Sequence, residues 1–164
     1  PNSSLPHAQV TKRKFTNGDM ITIDLTLRYK GYISDATRTF GLGSISKEAV
    51  TIYEIVKESQ KAGLKAVKPG KTCGSVDDAC RKIITEYNYG SHFIHSTGHG
   101  IGLDVHENPN VSGKNKEKLK KNMAITVEPG IYIPKKFGVR IEDSLIVKDR
   151  ASVMHKFTKD LIVI

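Results

Sequence analysis

Two strand-like runs that each close on an acid constrain the fold of this chain more than any other feature. The run ITID fills positions 21–24 and the run ITVE fills positions 125–128, so Asp24 and Glu128 take the same place in similar patterns. Side chains alternate between the two faces of a strand, so the apolar residues of each run face a core and the acid lies on the opposite face. The sequence therefore predicts two strands that each present a carboxylate on a polar face.

A turn and a second acid follow each of these runs. Asp35 follows Asp24 across the turn of a predicted β-hairpin that spans residues 19–43. Glu142 follows Glu128 across another turn, so the second half of the chain repeats the first. Acids are depleted in strands, and four carboxylates crowded together by two hairpins would raise one another's pKa. We therefore expect a cation to lie among them.

Helical patterns occupy the middle of the chain. We predict a helix over residues 46–67 that is capped by Ser46, and a second helix over residues 75–88 that is capped by Ser75. The second helix is expected to bury the face formed by Ala79, Ile83 and Tyr87. Further strands are predicted around Phe93 and over residues 138–147 and 160–164.

A segment rich in histidine and glycine, HFIHSTGHGIGLDVHE, covers residues 92–107. His95 and His99 would chelate a metal from one face of a helix, but the glycines at alternate positions 98, 100 and 102 favour an extended or loop backbone. Neither the HExxH motif nor a phosphate-binding glycine spacing is present. One histidine with four carboxylates is an oxygen-rich donor set, which suits a pair of divalent ions such as Mn²⁺ or Co²⁺ better than a thiolate zinc site.

The ordered segments DLTLRYKGYISDATRTF, STGHGIGLDVHE, VEPGIY and VRIEDS resemble the creatinase/aminopeptidase, or pita-bread (M24-type), metallopeptidases. Within that family they are similar to the Xaa-Pro peptidases, which comprise prolidases and Xaa-Pro aminopeptidases. The resemblance runs from about His7 to the C-terminus. It implies an α+β pita-bread fold: a curved antiparallel sheet of pseudo-two-fold symmetry with helices on its outer face. It further implies one catalytic domain over residues 1–164 that lacks the N-terminal helices of the family.

Site residues are implied by the same resemblance. Asp24 would chelate one ion, and Asp35 and Glu142 would bridge the two. His99 and Glu128 would complete the second ion's shell. The remaining implied residues would contact the substrate or support the site: His7, His95, His106 and Arg140.

The reaction implied is hydrolysis of the peptide bond before proline by a hydroxide that two ions share. Glu128 would move the proton, and His106 or His95 would donate a hydrogen bond to the oxyanion. Two other readings stay open: a methionine aminopeptidase-type exopeptidase, and a binding module that keeps the fold without the metals. The sequence also leaves open the choice between dipeptidase and aminopeptidase.

Composition limits the other classes of function. The chain has 164 residues, of which 38% are hydrophobic and 26% charged, as in one globular domain. Its formal charge of +9 is densest in the run GKNKEKLKKN at 113–122, which we interpret as a solvated surface loop with a helix end. No aromatic residues interleave with these lysines, so a nucleic-acid partner is not expected.

No apolar run is long enough to cross a membrane, so a membrane partner is not expected either. Cys73 and Cys80 are predicted to be reduced thiols, which favours a cytoplasmic location. The resemblance to the Xaa-Pro peptidases further implies that the full-length protein is a homodimer that acts on proline-containing peptides. Without the covering helices of the family, the chain is expected to expose apolar surface and to be weak or inactive alone.

Overall fold

The hairpin predicted near the N-terminus forms in the computed structural model, which describes all residues from Pro1 to Ile164. Strand β1 (Met20–Tyr29) pairs with β2 (Tyr32–Gly41) in an unbroken antiparallel register. Lys30 and Gly31 join the strands with φ angles of 49° and 89°. Two positive φ angles are what the tightest hairpin turns require, and glycine adopts them without steric cost.

Two helices follow the hairpin. Helix α1 (Lys47–Ala66) is capped as predicted, because the Ser46 hydroxyl accepts a hydrogen bond from the Ala49 amide at 3.1 Å. Helix α2 (Cys73–Glu86) begins two residues earlier than predicted, and its cap is Thr72, whose hydroxyl accepts from the Ser75 amide. The prediction that Ser75 caps this helix is therefore wrong.

The buried face of α2 also differs from the prediction. Val76, Cys80 and Ile84 are fully buried, whereas Tyr87 lies beyond the helix end and is 49% exposed. Adjacent isoleucines at positions 83 and 84 allow two apolar faces one residue apart. Packing against α1 and the sheet selects the face that continues from Cys73, which the sequence pattern alone does not decide.

The rest of the chain forms short antiparallel strands. Five of them make one sheet in the order β4-β3-β5-β8-β9, and β6 pairs with β7. Their bounds are β3 (Gly98–Gly100), β4 (Glu107–Val111), β5 (Ala124–Val127), β6 (Gly130–Ile133), β7 (Phe137–Arg140), β8 (Asp143–Ile146) and β9 (Ser152–Val153).

Three predictions for this second half need correction. The segment before Phe93 is a 3₁₀ turn, Gly90–His92, and not a strand. Residues 160–164 contribute only a single bridge, between Val163 and Gly41. The lysine-rich segment 113–122 is an irregular loop with no helix end.

The core lies between the two helices and the five-stranded sheet. Ile52 and Val56 of α1 pack in one apolar cluster with Ile84 of α2 and with Ile125 and Val127 of β5. The helices thus cover one face of β5, and the opposite face is free for polar side chains. None of the helices combines the length and the apolar character that a membrane crossing needs.

Strand β1 has a polar face and an apolar face, as its alternation predicts. Asp24 and Thr26 face the interior of the molecule, where they line a cavity. Ile23, Leu25 and Leu27 face outward, with 42%, 56% and 64% of their surface exposed. Ile23 and Leu25 line an apolar groove together with Phe157 and Ile162 of the C-terminal segment.

Candidate metal centre

A polar cavity of about 780 Å³ lies where the hairpin meets the five-stranded sheet. Its lining contains one hydrophobic residue among sixteen, so the cavity suits ions and polar groups. The cavity brings together every site residue that the sequence analysis named: His7, Asp24, Asp35, His95, His99, His106, Glu128, Arg140 and Glu142.

The hairpin supplies the first two acids. Asp24 lies opposite Thr37 and Asp35 lies opposite Thr26, so all four side chains stand on the same face of the two strands. The Thr26 hydroxyl donates to Asp35 Oδ1 at 3.0 Å. Asp35 is therefore fixed in place, with its second oxygen free to face the cavity.

The other two acids come from the ends of strands in the second half. Glu128 directly follows β5, and Glu142 lies between β7 and β8. A threonine hydroxyl holds each carboxylate: Thr126 donates to Glu128 Oε1 at 3.3 Å, and Thr37 donates to Glu142 Oε2 at 2.6 Å. Because Thr37 belongs to the hairpin, its hydrogen bond joins the acids of the two halves.

His99 projects from β3 toward these carboxylates. Its Nε2 lies 3.3 Å from Glu128 Oε1 and 4.0 Å from Asp35 Oδ2. Its Nδ1 lies 2.9 Å from the Gly100 carbonyl oxygen, which can only accept, so Nδ1 carries a proton. Burial lowers the pKa of the ring, which favours the neutral form with a lone pair on Nε2. A neutral imidazole that points a lone pair at carboxylates is arranged as a metal ligand and not as a counter-charge.

Glycine at position 98 is required for this approach. A Cβ built on Gly98 would overlap the carbonyl oxygen of Thr126 on the neighbouring strand. The backbone of β3 can therefore lie close to β5 only without a side chain here. That close approach brings His99 within reach of Glu128.

Electrostatics favours a cation among the acids. Burial, followed by the charge of Asp24, raises the pKa of Asp35. Burial, followed by the charges of Glu128 and Asp35, raises the pKa of Glu142, and burial is also the largest cause of the raised pKa of Glu128. A bound divalent ion would favour the ionised form of these carboxylates and so lower their pKa.

The donor geometry fits such an ion. Asp35, His99 and Glu142 each offer one ligand atom, and these three atoms all lie within 4.8 Å of one another. Asp24 and Glu128 line the same cavity. Four carboxylates and one imidazole match the ligand preference of Mn²⁺ and similar divalent metals.

Arg140 is the only lysine or arginine in the cavity wall. Its side chain is 4% exposed, and its Nη2 lies 2.6 Å from Asp24 Oδ2. It also donates to the hydroxyls of Thr37 and Tyr132, at 3.2 and 2.9 Å. One guanidinium cannot balance four carboxylates, so it orients Asp24 and leaves the remaining negative charge to a ligand.

The three other histidines of the cavity, His7, His95 and His106, differ in their surroundings. His106 is exposed, and its ring centroid lies 4.3 Å from that of His99. His7 is exposed beside Pro6 at the edge of the cavity. Both side chains are therefore accessible to a substrate.

His95 is enclosed instead. Its Nδ1 lies 2.8 Å from the Ser96 carbonyl oxygen, and its Nε2 lies 2.8 Å from the Tyr132 hydroxyl. The carbonyl fixes the proton on Nδ1, so the Tyr132 hydroxyl donates to Nε2. Burial lowers the pKa of His95 to about 4, so the ring stays neutral and has no free N–H for an oxyanion.

Three supporting residues were missed by the sequence reasoning: Thr26, Thr37 and Tyr132. The two threonines could have been found, because each lies two positions after an acid on its strand and so shares the polar face of that acid. Tyr132 gives no comparable signal. Its partners, His95 and Arg140, are 37 and 8 residues away in the chain.

Comparison with known proteins places this chain in a family. The sequence model of metallopeptidase family M24 matches residues 1–149. An Xaa-Pro dipeptidase from Pyrococcus furiosus is 47% identical over 150 residues, which are 92% of this chain and 43% of that relative.

Solved structures give the same result for the fold. A prolidase from Thermococcus sibiricus superposes with a TM-score of 0.97 at 43% identity, over 99% of this chain and 45% of that one. An X-Pro aminopeptidase from Thermotoga maritima superposes with a TM-score of 0.95 at 39% identity, over 99% of this chain and 46% of that one. The predicted α+β pita-bread fold is thereby confirmed.

The chain spans less than half the length of these relatives. The match nevertheless includes both acidic hairpins, the glycine-rich strand and every candidate ligand, because it extends over residues 1–149. This chain belongs to metallopeptidase family M24.

Proposed function

We propose that this chain is the metal-binding part of a peptidase that hydrolyses the bond before proline. The observation that carries the proposal is the convergence of Asp35, His99 and Glu142, with ligand atoms within 4.8 Å of one another, in a cavity that Asp24 and Glu128 also line. The Xaa-Pro dipeptidase and prolidase named among the relatives support the substrate class.

The five residues would hold two divalent cations, Mn²⁺ or Co²⁺. Asp24 would bind one ion, Asp35 and Glu142 would bridge both, and His99 and Glu128 would bind the second. When bound, the ions would supply Lewis acidity that polarises the scissile carbonyl and lowers the pKa of a nearby water.

The side chains around the ions would carry out the remaining steps. Glu128 would accept the proton of the attacking water and return it to the leaving nitrogen; the position of its carboxylate in the cavity next to His99 supports this role. His106 would donate a hydrogen bond to the developing oxyanion, a role supported by its exposed ring beside His99. The oxyanion role goes to His106 and not to His95, because both nitrogens of His95 have partners within the protein.

His7 and Arg140 would orient the substrate. His7 is exposed at the edge of the cavity, and Arg140 holds Asp24 and Tyr132 by hydrogen bonds. A proline nitrogen contributes no N–H to the scissile bond, so selection for proline would depend on the fit of its ring and not on a hydrogen bond from that nitrogen.

Metal analysis and a matched set of peptides test this proposal. We expect the chain to bind Mn²⁺ stoichiometrically and to release proline slowly from a dipeptide X-Pro, with no hydrolysis of the X-Ala dipeptide. Comparison of X-Pro with X-Pro-Y-Z separates the two exopeptidase classes, because only a dipeptidase requires a free carboxylate directly after proline.

The other readings have their own signatures. Cleavage of X-Ala as readily as X-Pro would favour a methionine aminopeptidase-type enzyme. The absence of any stoichiometric ion would favour a binding module. Rapid turnover by a monomer would contradict our expectation that the chain is weak alone.

A further inference from the structure

Helix α2 carries an ion pair that lies outside the cavity. Asp77 is 1% exposed, and Arg81 follows it by one helical turn. The guanidinium binds the carboxylate through two nitrogens, with Nε 2.8 Å from Oδ2 and Nη2 3.0 Å from Oδ1. A buried aspartate in a helix is costly unless it is paired in this way, so the pair is a built feature of the fold.

The remaining polar contacts of the pair all go to one segment, residues 93–97, which we call the His95 loop. Arg81 donates to the Phe93 carbonyl at 2.8 Å and to the His95 carbonyl at 2.7 Å, and its guanidinium lies 4.1 Å above the Phe93 ring. Asp77 Oδ1 accepts from the Thr97 hydroxyl at 2.8 Å and from the Thr97 amide at 3.1 Å. The Asp77–Arg81 pair therefore holds both ends of the His95 loop by hydrogen bonds, at Phe93 and at Thr97.

The His95 loop in turn determines the position of groups in the cavity. The Thr97 carbonyl accepts a hydrogen bond from the Glu128 amide at 2.7 Å. The loop itself carries the His95 ring, and His99 follows Thr97 by two residues on β3. Movement of the loop would therefore displace Glu128 and His99 together.

We propose that Asp77 and Arg81 are positioning residues that hold the His95 loop so that His99 and Glu128 can share one ion. The inference rests on the proposed metal centre. Arg81 is suited to the task because its planar guanidinium reaches one carboxylate and two carbonyls at once, which the single ammonium of lysine cannot do. Groups behind metal ligands commonly change metal affinity by 10–100-fold when they are removed.

The test compares three variants of the Asp77–Arg81 pair with two controls. Arg81→Gln and Asp77→Asn remove contacts that hold the His95 loop. Arg81→Lys keeps the positive charge but cannot reach Asp77 and both carbonyls at once. Ser59→Ala removes a buried hydrogen bond of 2.9 Å to the Cys80 carbonyl, between α1 and α2, and so destabilises the fold without touching the loop. Lys82→Gln breaks an exposed pair with Glu86 on the same helix and serves as the surface control.

Two measurements are made on each variant. We expect Arg81→Gln and Asp77→Asn to weaken Mn²⁺ binding by about tenfold or more, and Ser59→Ala to leave it unchanged after a comparable loss of stability. In the metal-free chain, we expect the loop variants to speed hydrogen exchange at the Glu128 amide, while both controls leave it slow. If Arg81→Gln and Asp77→Asn fail to fold, Arg81→Lys carries the same test.

Equal Mn²⁺ affinity in wild type and in the loop variants would overturn the inference and leave the proposed function intact. If the wild-type chain binds no Mn²⁺, the proposed function fails. Hydrogen exchange at the Glu128 amide of the metal-free chain then decides by itself whether Asp77 and Arg81 hold the loop.

Discussion

The guanidinium of Arg140 lies 2.6 Å from the carboxylate of Asp24, and the arginine side chain is almost fully enclosed. This pair joins the last strand residue before Glu142 to the first acid of the hairpin. It places the one cation of the cavity wall beside the most exposed of the four acids.

Arg140→Gln should therefore destabilise the metal-free chain. Removing the guanidinium leaves Asp24 and the other acids without their only internal counter-charge. We expect a loss of about 3 kcal/mol, at the low end for a broken buried ion pair because Asp24 is partly exposed. Urea unfolding in the presence of chelator measures it. Arg13→Gln breaks the exposed pair with Asp19 and should cost far less; equal losses would show that burial gives Arg140 no special role.

Glu128→Ala and His106→Ala should separate metal binding from chemistry. Loss of the Glu128 carboxylate should abolish stoichiometric Mn²⁺ if Glu128 is a ligand of the second ion, as we propose. His106→Ala should retain the metal and lower turnover by about 10²-fold, since its proposed role is only to donate a hydrogen bond to the oxyanion. Metal analysis after dialysis and the X-Pro assay measure the two effects. Retention of the metal by the Glu128 variant would refute its assignment as a ligand.

Mn²⁺ should stabilise the folded chain, and Glu142→Gln should eliminate that effect. A ligand at 100 times its Kd stabilises by about 2.7 kcal/mol, which is roughly 5–10 °C in Tm for a domain of this size. The glutamine still accepts from Thr37 but cannot bridge two cations. A thermal scan with Mn²⁺ and with chelator checks this. An unchanged Mn²⁺ shift in the variant would contradict the bridging role.

The enclosure of His95 predicts a pH dependence. The folded protein keeps the ring neutral down to a pKa of about 4, whereas the unfolded chain takes up a proton near pH 6.5. The unfolded state therefore binds more protons between these values, so stability falls as the pH drops from about 6.5 to 4. The total contribution is up to about 3 kcal/mol. His95→Gln removes it, so the stability difference between wild type and variant should shrink as the pH falls. A difference that stays constant from pH 7.5 to pH 4.5 would exclude this account.

The acids of the site could be predicted from the sequence because strand alternation is a local rule. Asp24 and Glu128 terminate runs whose apolar partners face the core, and the threonines two positions from Asp24 and Asp35 obey the same rule. The extended backbone at His99 could be predicted too, from the alternating glycines. The fold followed from the ordered segments once their resemblance to a family was recognised.

The remaining features depend on contacts between distant parts of the chain. The prediction for the buried face of α2 is one residue out of register because two adjacent isoleucines fit two faces, and only packing against α1 chooses between them. The cap is ambiguous in sequence because Thr72 and Ser75 are both good cap residues, and the structure uses Thr72. The Asp77–Arg81 pair gives a common helical spacing, which is usually a solvated surface pair. Its role appears only when the His95 loop, more than ten residues further along, folds back onto the helix.

The outward row of Ile23, Leu25 and Leu27 has a consequence for assembly. Consecutive residues of β1 point to opposite sides. These apolar side chains are therefore separated from the polar cavity by the thickness of a single strand. Whatever shields the row from water, whether a helix or another copy of the chain, can do so without obstructing the path of an incoming peptide. Quaternary contacts on that side and hydrolysis on the other are therefore geometrically compatible.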